Sequence, residues 1–224
     1  MSPLETTELF HLGGVAISRA VATTWGIMAL LAVVSVIVTR RLRIVPTRWQ
    51  TVLELFVQAI EKTIGEITSH PPKLFLPFLG SLFLFLVAAN LASIVPGVYS
   101  PTAQVETAAA LAAVVFVAVH YFGIRISGVR GHLRTYAEPS ILTLPLNVIG
   151  ELTRTFALMV RLFGNIMSGQ FLVVVILAVV GLLVPVPLMA LGIVIGIIQA
   201  YIFTVLAAVF IAAGLADRPA KETP

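Results

Sequence analysis

The 224-residue sequence has no cysteine, so disulfides, thiolate metal sites and cysteine nucleophiles are excluded. Charge is scarce too: Asp, Glu, Lys and Arg make up 11% of the chain against 59% hydrophobic residues, with a mean hydropathy of +1.06. So little charge leaves no material for a separate water-soluble domain, and the chain reads as one polytopic membrane domain spanning 1–224. A pI of about 9.9 and a net charge of +4 point superficially to nucleic acid. The basic residues, however, fall between apolar runs and not along a patch, so they are topology signals and no nucleic-acid partner is expected. Also missing are a phosphate-binding glycine loop, a metal-ligand cluster and a nucleophile–base constellation. Their absence argues against an enzyme and gives no reason to expect a cofactor.

Met1 to Gly14 carries Glu5 and Glu8 but no Lys or Arg. It lacks the positive start of a secretory signal and the arginine-rich pattern of a transit peptide, and is expected to be a short external tail. Apolar runs at 15–38, 74–95, 107–124, 141–184 and 186–215 supply five membrane-embedded helices. Between the first two, residues 49–67 set Val52, Leu53, Phe56, Ile60 and Ile64 against Glu54, Glu61 and Lys62, the spacing of an interfacial amphipathic helix that ends at His70-Pro71-Pro72. The expected fold is therefore an all-α polytopic membrane protein, its last two helices forming a hairpin around Pro185 and Pro187. Arg40, Arg41, Arg43 and Arg48 follow the first run, and Arg125, Arg130, His132 and Arg134 follow the third. By the positive-inside rule both groups are cytoplasmic. The N-terminus then lies outside, and the C-terminus, with Asp217, Arg218 and Lys221, lies inside.

Arg161 stands in the middle of the fourth run, in the segment LMVRLFGNIMSGQ from Leu158 to Gln170. A guanidinium stays protonated at physiological pH, and holding it at bilayer depth costs from about 2.5 to more than 10 kcal/mol. At 100° per residue Asn147, Glu151, Arg154, Asn165 and Ser168 share its side of the helix, giving one polar stripe on an apolar rod. Glu151 and Arg154, three apart, either pair with each other or face a polar path. Glu151 is ten residues from Arg161, roughly 15 Å along the helix, so the partner of Arg161 is expected on another element or another chain. In the second run Asn90 is expected to hydrogen-bond a neighbouring helix. Glu106, at the mouth of the third, is either a cation-attracting inlet residue or an ordinary helix-start carboxylate. His120 reads as a hydrogen-bonded packing residue. Gly192, Gly196 and Gln199 form a small face that admits a close neighbour.

RLFGN at Arg161–Asn165, with Gly150, Glu151 and Arg154 upstream, closely resembles the a subunit of F-type ATP synthases. The similarity extends to Pro77–Gly97, to PTAQVE from Pro101 and to IIQAYIFTVL from Ile197 to Leu206. It implies an ion-translocating subunit of the F0 sector, in a bacterial inner membrane, in contact with lipid, a ring of c subunits, the b-subunit peripheral stalk and the rest of the synthase. It implies further that Arg161 faces the ion-binding carboxylates of the ring, that Gln199 is placed to hydrogen-bond toward Arg161, and that the last two helices are long and tilted around the ring. Two half-channels that do not meet, and a carrier moving between them, then couple H+ or Na+ flow to rotation. Glu151, Arg154, Asn165 and Ser168 are candidates to line that path.

The sequence departs from the family pattern at three places: Gln104 where Asp is usual, Gln170 where Glu is frequent, and Gly192 where some members have His. Either Glu106 and Glu151 alone serve a proton path, or the ion is sodium, which needs oxygen ligands and no proton relay. Two other classes compete with this reading. A secondary transporter would show discontinuous helices and an internal repeat, and no convincing repeat is present. A structural membrane scaffold would have no use for Arg161.

Overall fold

The computed structural model describes residues 8–12, 15–40, 48–68, 70–92, 101–137, 143–180 and 185–215. Arg41 and Arg43 of the first basic cluster, the Pro96-Gly97 stop, most of the expected external tail, and Asp217, Arg218 and Lys221 lie outside these residues.

Two short strands open the chain, β1 (Glu8–Leu12) and β2 (Val15–Ser18), paired antiparallel with Phe10 opposite Ile17 and Leu12 opposite Val15. The first helix, α1 (Arg19–Thr39), therefore starts four residues later than the apolar run does, because β-branched Val15 and Ile17 are taken up in the hairpin. Five further helices follow: α2 (Arg48–Ile67), α3 (Leu76–Ala92), α4 (Val105–Ala137), α5 (Leu144–Val180) and α6 (Pro185–Gly214). Four of them, α1, α4, α5 and α6, are long and apolar enough to cross a membrane, and α3 is a shorter apolar helix of 17 residues. The all-α polytopic class holds, with the hairpin as an addition ahead of it.

The core is built where α3, α4 and α6 meet. Phe75, just ahead of α3, lies edge-on to Phe122 of α4 at 5.1 Å, and Leu79, Leu82 and Leu86 continue that buried line along α3. Small residues let the helices approach: Ala108, Ala112 and Ala118 on α4 and Ala200, Ala207 and Ala208 on α6 are all buried. Gly214 is a true close contact, since a Cβ there would come within 2.7 Å of Val119 Cγ1. Asn90 does the work expected of it, donating to the Gly196 carbonyl across 2.8 Å and accepting from Thr102 Oγ1 at 3.0 Å. A Cβ on Gly196 would meet the Asn90 Cβ at 3.0 Å, whereas one on Gly192 would meet nothing. The amphipathic α2 buries Ile64 against this core.

Two helices differ from the sequence-based expectation in ways that shape the site. Helix α4, expected over 107–124, runs on to Ala137, but Gly128 interrupts it with φ 71° and ψ 163°. That backbone conformation is essentially restricted to glycine, and it reverses the chain. The limb after Gly128 returns along the limb before it, so that His132 packs on His120 with ring centroids 5.3 Å apart, although twelve residues of straight helix would separate them by about 18 Å. Helix α5 is continuous through Gly164 and Gly169 and has 37 residues, roughly 55 Å at 1.5 Å each. A hydrocarbon core near 30 Å accommodates a helix of that length only at a steep inclination.

Candidate functional site

The polar stripe of α5 divides into two groups. The first centres on Glu151, which is half-buried and receives the hydroxyl of Tyr136 from the returning limb of α4 on its Oε2. Its Oε1 lies 3.5 Å from His120 Nδ1. That nitrogen is 2.9 Å from the Phe116 carbonyl, which can only accept, so the Nδ1 hydrogen is directed to Phe116. Asn147, one turn before Glu151, donates to the Tyr136 carbonyl at 2.9 Å and ties the limb to α5 at a second point. His132 is 3% exposed and sits against Gly123, where a Cβ would come within 2.4 Å of its Nδ1. Beside this cluster lies an open cavity of about 290 Å³, lined among others by Tyr136, Asn147, Glu151, Arg154, Thr155 and Phe210.

The ion pair between Glu151 and Arg154 offered by their spacing is not formed. The returning limb brings a hydroxyl to the carboxylate, and the Arg154 guanidinium instead lies over the Phe210 ring of α6 at 5.9 Å. A cation over a ring face at that distance is attracted by its quadrupole. Both charged groups thereby border the cavity without neutralising each other.

The second group lies near Arg161. Asn165, one turn on, donates its Nδ2 to Gln199 Oε1 of α6 at 3.3 Å. Gln199 is 4% exposed, and its Nε2 has no hydrogen-bond partner among the described residues. Its carbonyl thus meets Asn165, not Arg161. Arg161 is exposed and makes no hydrogen bond or ion pair among the described residues. It points away from a core that its neighbours Leu158 and Leu162 enter, at 1% and 0% exposure. Of the remaining candidates, Ser168 and Glu106 are exposed and Gln170 is half-buried, and no described contact joins them to either group. Tyr136 and His132 are the residues the sequence reading missed as site members. Their basic surroundings suggested a cytoplasmic loop, and only the reversal at Gly128 brings them to α5.

The outer face of these last two helices is broadly apolar: Phe156, Val160, Phe171 and Val174 on α5 and Val194 and Ile198 on α6 are all exposed. In water such a face would aggregate. Fold and site together define a multi-pass membrane protein whose longest described helix exposes the Arg161 guanidinium with no hydrogen-bond, ion-pair or ring partner among the described residues. More narrowly, the chain belongs to the ATP synthase A chain family, whose sequence model matches residues 21–212. It is 56% identical over 214 residues to ATP synthase subunit a 2 of Bradyrhizobium sp. (strain BTAi1), covering 96% of each chain. It is 46% identical over 226 residues to ATP synthase subunit a of Albidiferax ferrireducens, covering 100% of this chain and 97% of that one. It is also 48% identical over 212 residues to ATP synthase subunit a 1 of Chlorobaculum parvum, covering 94% of each.

Proposed function

We propose that the protein is the a subunit of the F0 sector of a bacterial rotary ATP synthase, and that Arg161 is the fixed stator charge facing the carboxylates of a c-subunit ring. The observation that carries this reading is the exposure of Arg161 on the apolar outer face of α5 with no partner in the described chain. A guanidinium left so in hydrocarbon would cost several kcal/mol, and a carboxylate on a neighbouring chain offsets part of that cost. Family membership and near full-length coverage of curated relatives support the same assignment.

The mechanism rests on charge. A ring carboxylate carries its ion in neutral form through the apolar surroundings. Arriving opposite Arg161 it meets a positive charge that favours the ionised state, and it releases the ion into the half-channel on that side. The same charge repels a cation leaking directly from one half-channel to the other. Arginine suits the task better than lysine, whose ammonium loses its proton more readily in a low-dielectric site. Each charge crossing the membrane contributes about 2.3 kcal/mol per 100 mV, so several H+ or Na+ ions are used per ATP.

In this reading the cavity at Glu151, Arg154 and Asn147 is the cytoplasmic half-channel. Asn165, Ser168, Gln170 and Gln199 order the path beside Arg161, and Glu106 draws cations in from outside. The subunit itself is non-catalytic, nucleotide chemistry belonging to other chains, and the b-subunit stalk holds it against rotation. The N-terminus is outside and the C-terminus cytoplasmic, in the inner membrane.

The absence of cysteine makes a crosslinking test clean. A photoreactive group on a cysteine introduced at Ala157 or at Ser168, both exposed on the Arg161 side of α5, should capture the small hairpin protein that forms the ring. Capture at neither position, with the complex intact, would contradict the proposal.

A further inference from the structure

We infer that the end of α4 and its returning limb form a binding surface for anionic phospholipids, with Arg125, Arg130 and Arg134 at the headgroups and Tyr121, Val129 and Leu133 against the acyl chains. All six side chains are exposed. The sequence from Thr107 to Ala137 holds no Asp or Glu, so the formal charge on this stretch is of one sign. Its neighbours fix its depth. Gly214 closes α6, and a Cβ on Gly123 would come within 3.2 Å of the Gly214 carbonyl oxygen and 2.4 Å of His132 Nδ1. The limb therefore packs where α6 leaves its apolar run, at the level where hydrocarbon gives way to headgroups.

The reversal at Gly128 gives the limb three sides. His132 and Tyr136 turn to the protein, against His120 and Glu151. Val129 and Leu133, about 40° apart on the helical wheel, are 58% and 61% exposed, and such a pair gains by contact with acyl chains. Arg130 and Arg134 stand about 100° further round, away from the protein side. Arg125 completes the set from the limb before the reversal. It donates to the Tyr121 hydroxyl at 3.1 Å and lies over that ring at 5.9 Å, which holds it in place with further N–H donors to spare. Tyrosine and arginine at the end of a membrane helix favour the headgroup level, and the guanidinium fork matches phosphate oxygens. A lipid held here braces the limb that lays Tyr136 on Glu151.

The test reconstitutes the whole complex in phosphatidylcholine vesicles that carry a small, equal fraction of photoreactive phosphatidylglycerol or photoreactive phosphatidylcholine. After illumination, mass spectrometry locates the labelled peptides. Phosphatidylglycerol should label residues 121–134 at least about fivefold more than phosphatidylcholine, the preference expected when a single arginine engages an anionic headgroup. Replacing all three arginines by glutamine should remove the preference, and replacing them by lysine should keep most of it; co-purification of the other subunits confirms assembly of each variant. Equal labelling by the two lipids overturns the inference, as does a preference that survives in the glutamine variant. Loss of the preference in the lysine variant as well would trace it to a disturbed limb, and no labelling by either lipid would assign this face to a protein neighbour. A preference abolished by millimolar inorganic phosphate at constant ionic strength would make the ligand a free anion. Each of these last three results also overturns it.

Discussion

Replacing Gly128 by alanine isolates one physical cause. At φ 71° and ψ 163° this residue occupies a region that L-residues with a Cβ essentially avoid, and the strain for a non-glycine residue there is about 1–3 kcal/mol. No steric contribution is added, because a Cβ built on Gly128 meets no atom within 4 Å. An opposing gain of about 0.4–1 kcal/mol from reduced freedom of the unfolded chain applies only where alanine fits the native conformation, which it does not here. The full strain therefore falls on the equilibrium between a docked and an undocked returning limb, shifting it by a factor of about 5–150. Hydrogen exchange of the assembled complex reads this directly. Amides of 129–137 should lose protection by that factor, while those of the α3–α6 core around Leu86 and Phe203 keep theirs. Unchanged protection at 129–137 would show that the reversal does not depend on glycine geometry, and the account of α4 would be wrong.

Other substitutions separate further contributions. Gly123→Ala lies in ordinary helix, but its Cβ would stand 2.4 Å from His132 Nδ1, so the same limb should lose protection through a clash and not through strain. Combining Gly123→Ala with His132→Ala should restore protection if the clash is the cause. Asn90→Leu removes the donor to the Gly196 carbonyl and the acceptor for Thr102, and should lower thermal stability of the purified complex by about 0.6–1.7 kcal/mol. No measurable loss would show that the Asn90 amide does not hold α3 to α6.

The helices were legible in the sequence because bilayer thickness imposes a minimum length on an apolar run, and α5 and α6 meet that minimum without charged interruptions other than Glu151, Arg154 and Arg161. The role of Asn90 was equally readable, since an amide in an apolar helix has few ways to be satisfied. What escaped was anything that depends on direction. Gly128 is one of 16 glycines, and nothing local distinguishes a glycine that reverses a helix from one that packs inside it. Without that reversal His132 reads as one more basic residue beside Arg130 and Arg134, and Tyr136 is invisible as a partner. The Glu151–Arg154 spacing promised an ion pair for the same reason: helical spacing knows nothing of the hydroxyl arriving from α4 or the Phe210 ring arriving from α6. Gln199 was expected to reach toward Arg161, but from α6 it bonds Asn165 and leaves Arg161 open.

That openness is the central claim, and ATP-driven ion uptake by vesicles holding the whole complex tests it most directly, with wild type compared against Arg161→Ala and assembly checked in both. The account predicts that the assembled variant loses ion uptake while the peripheral head still hydrolyses ATP, because the ring carboxylate no longer meets a fixed charge. Uptake that survives at the wild-type rate would make Arg161 a structural residue and contradict the mechanism.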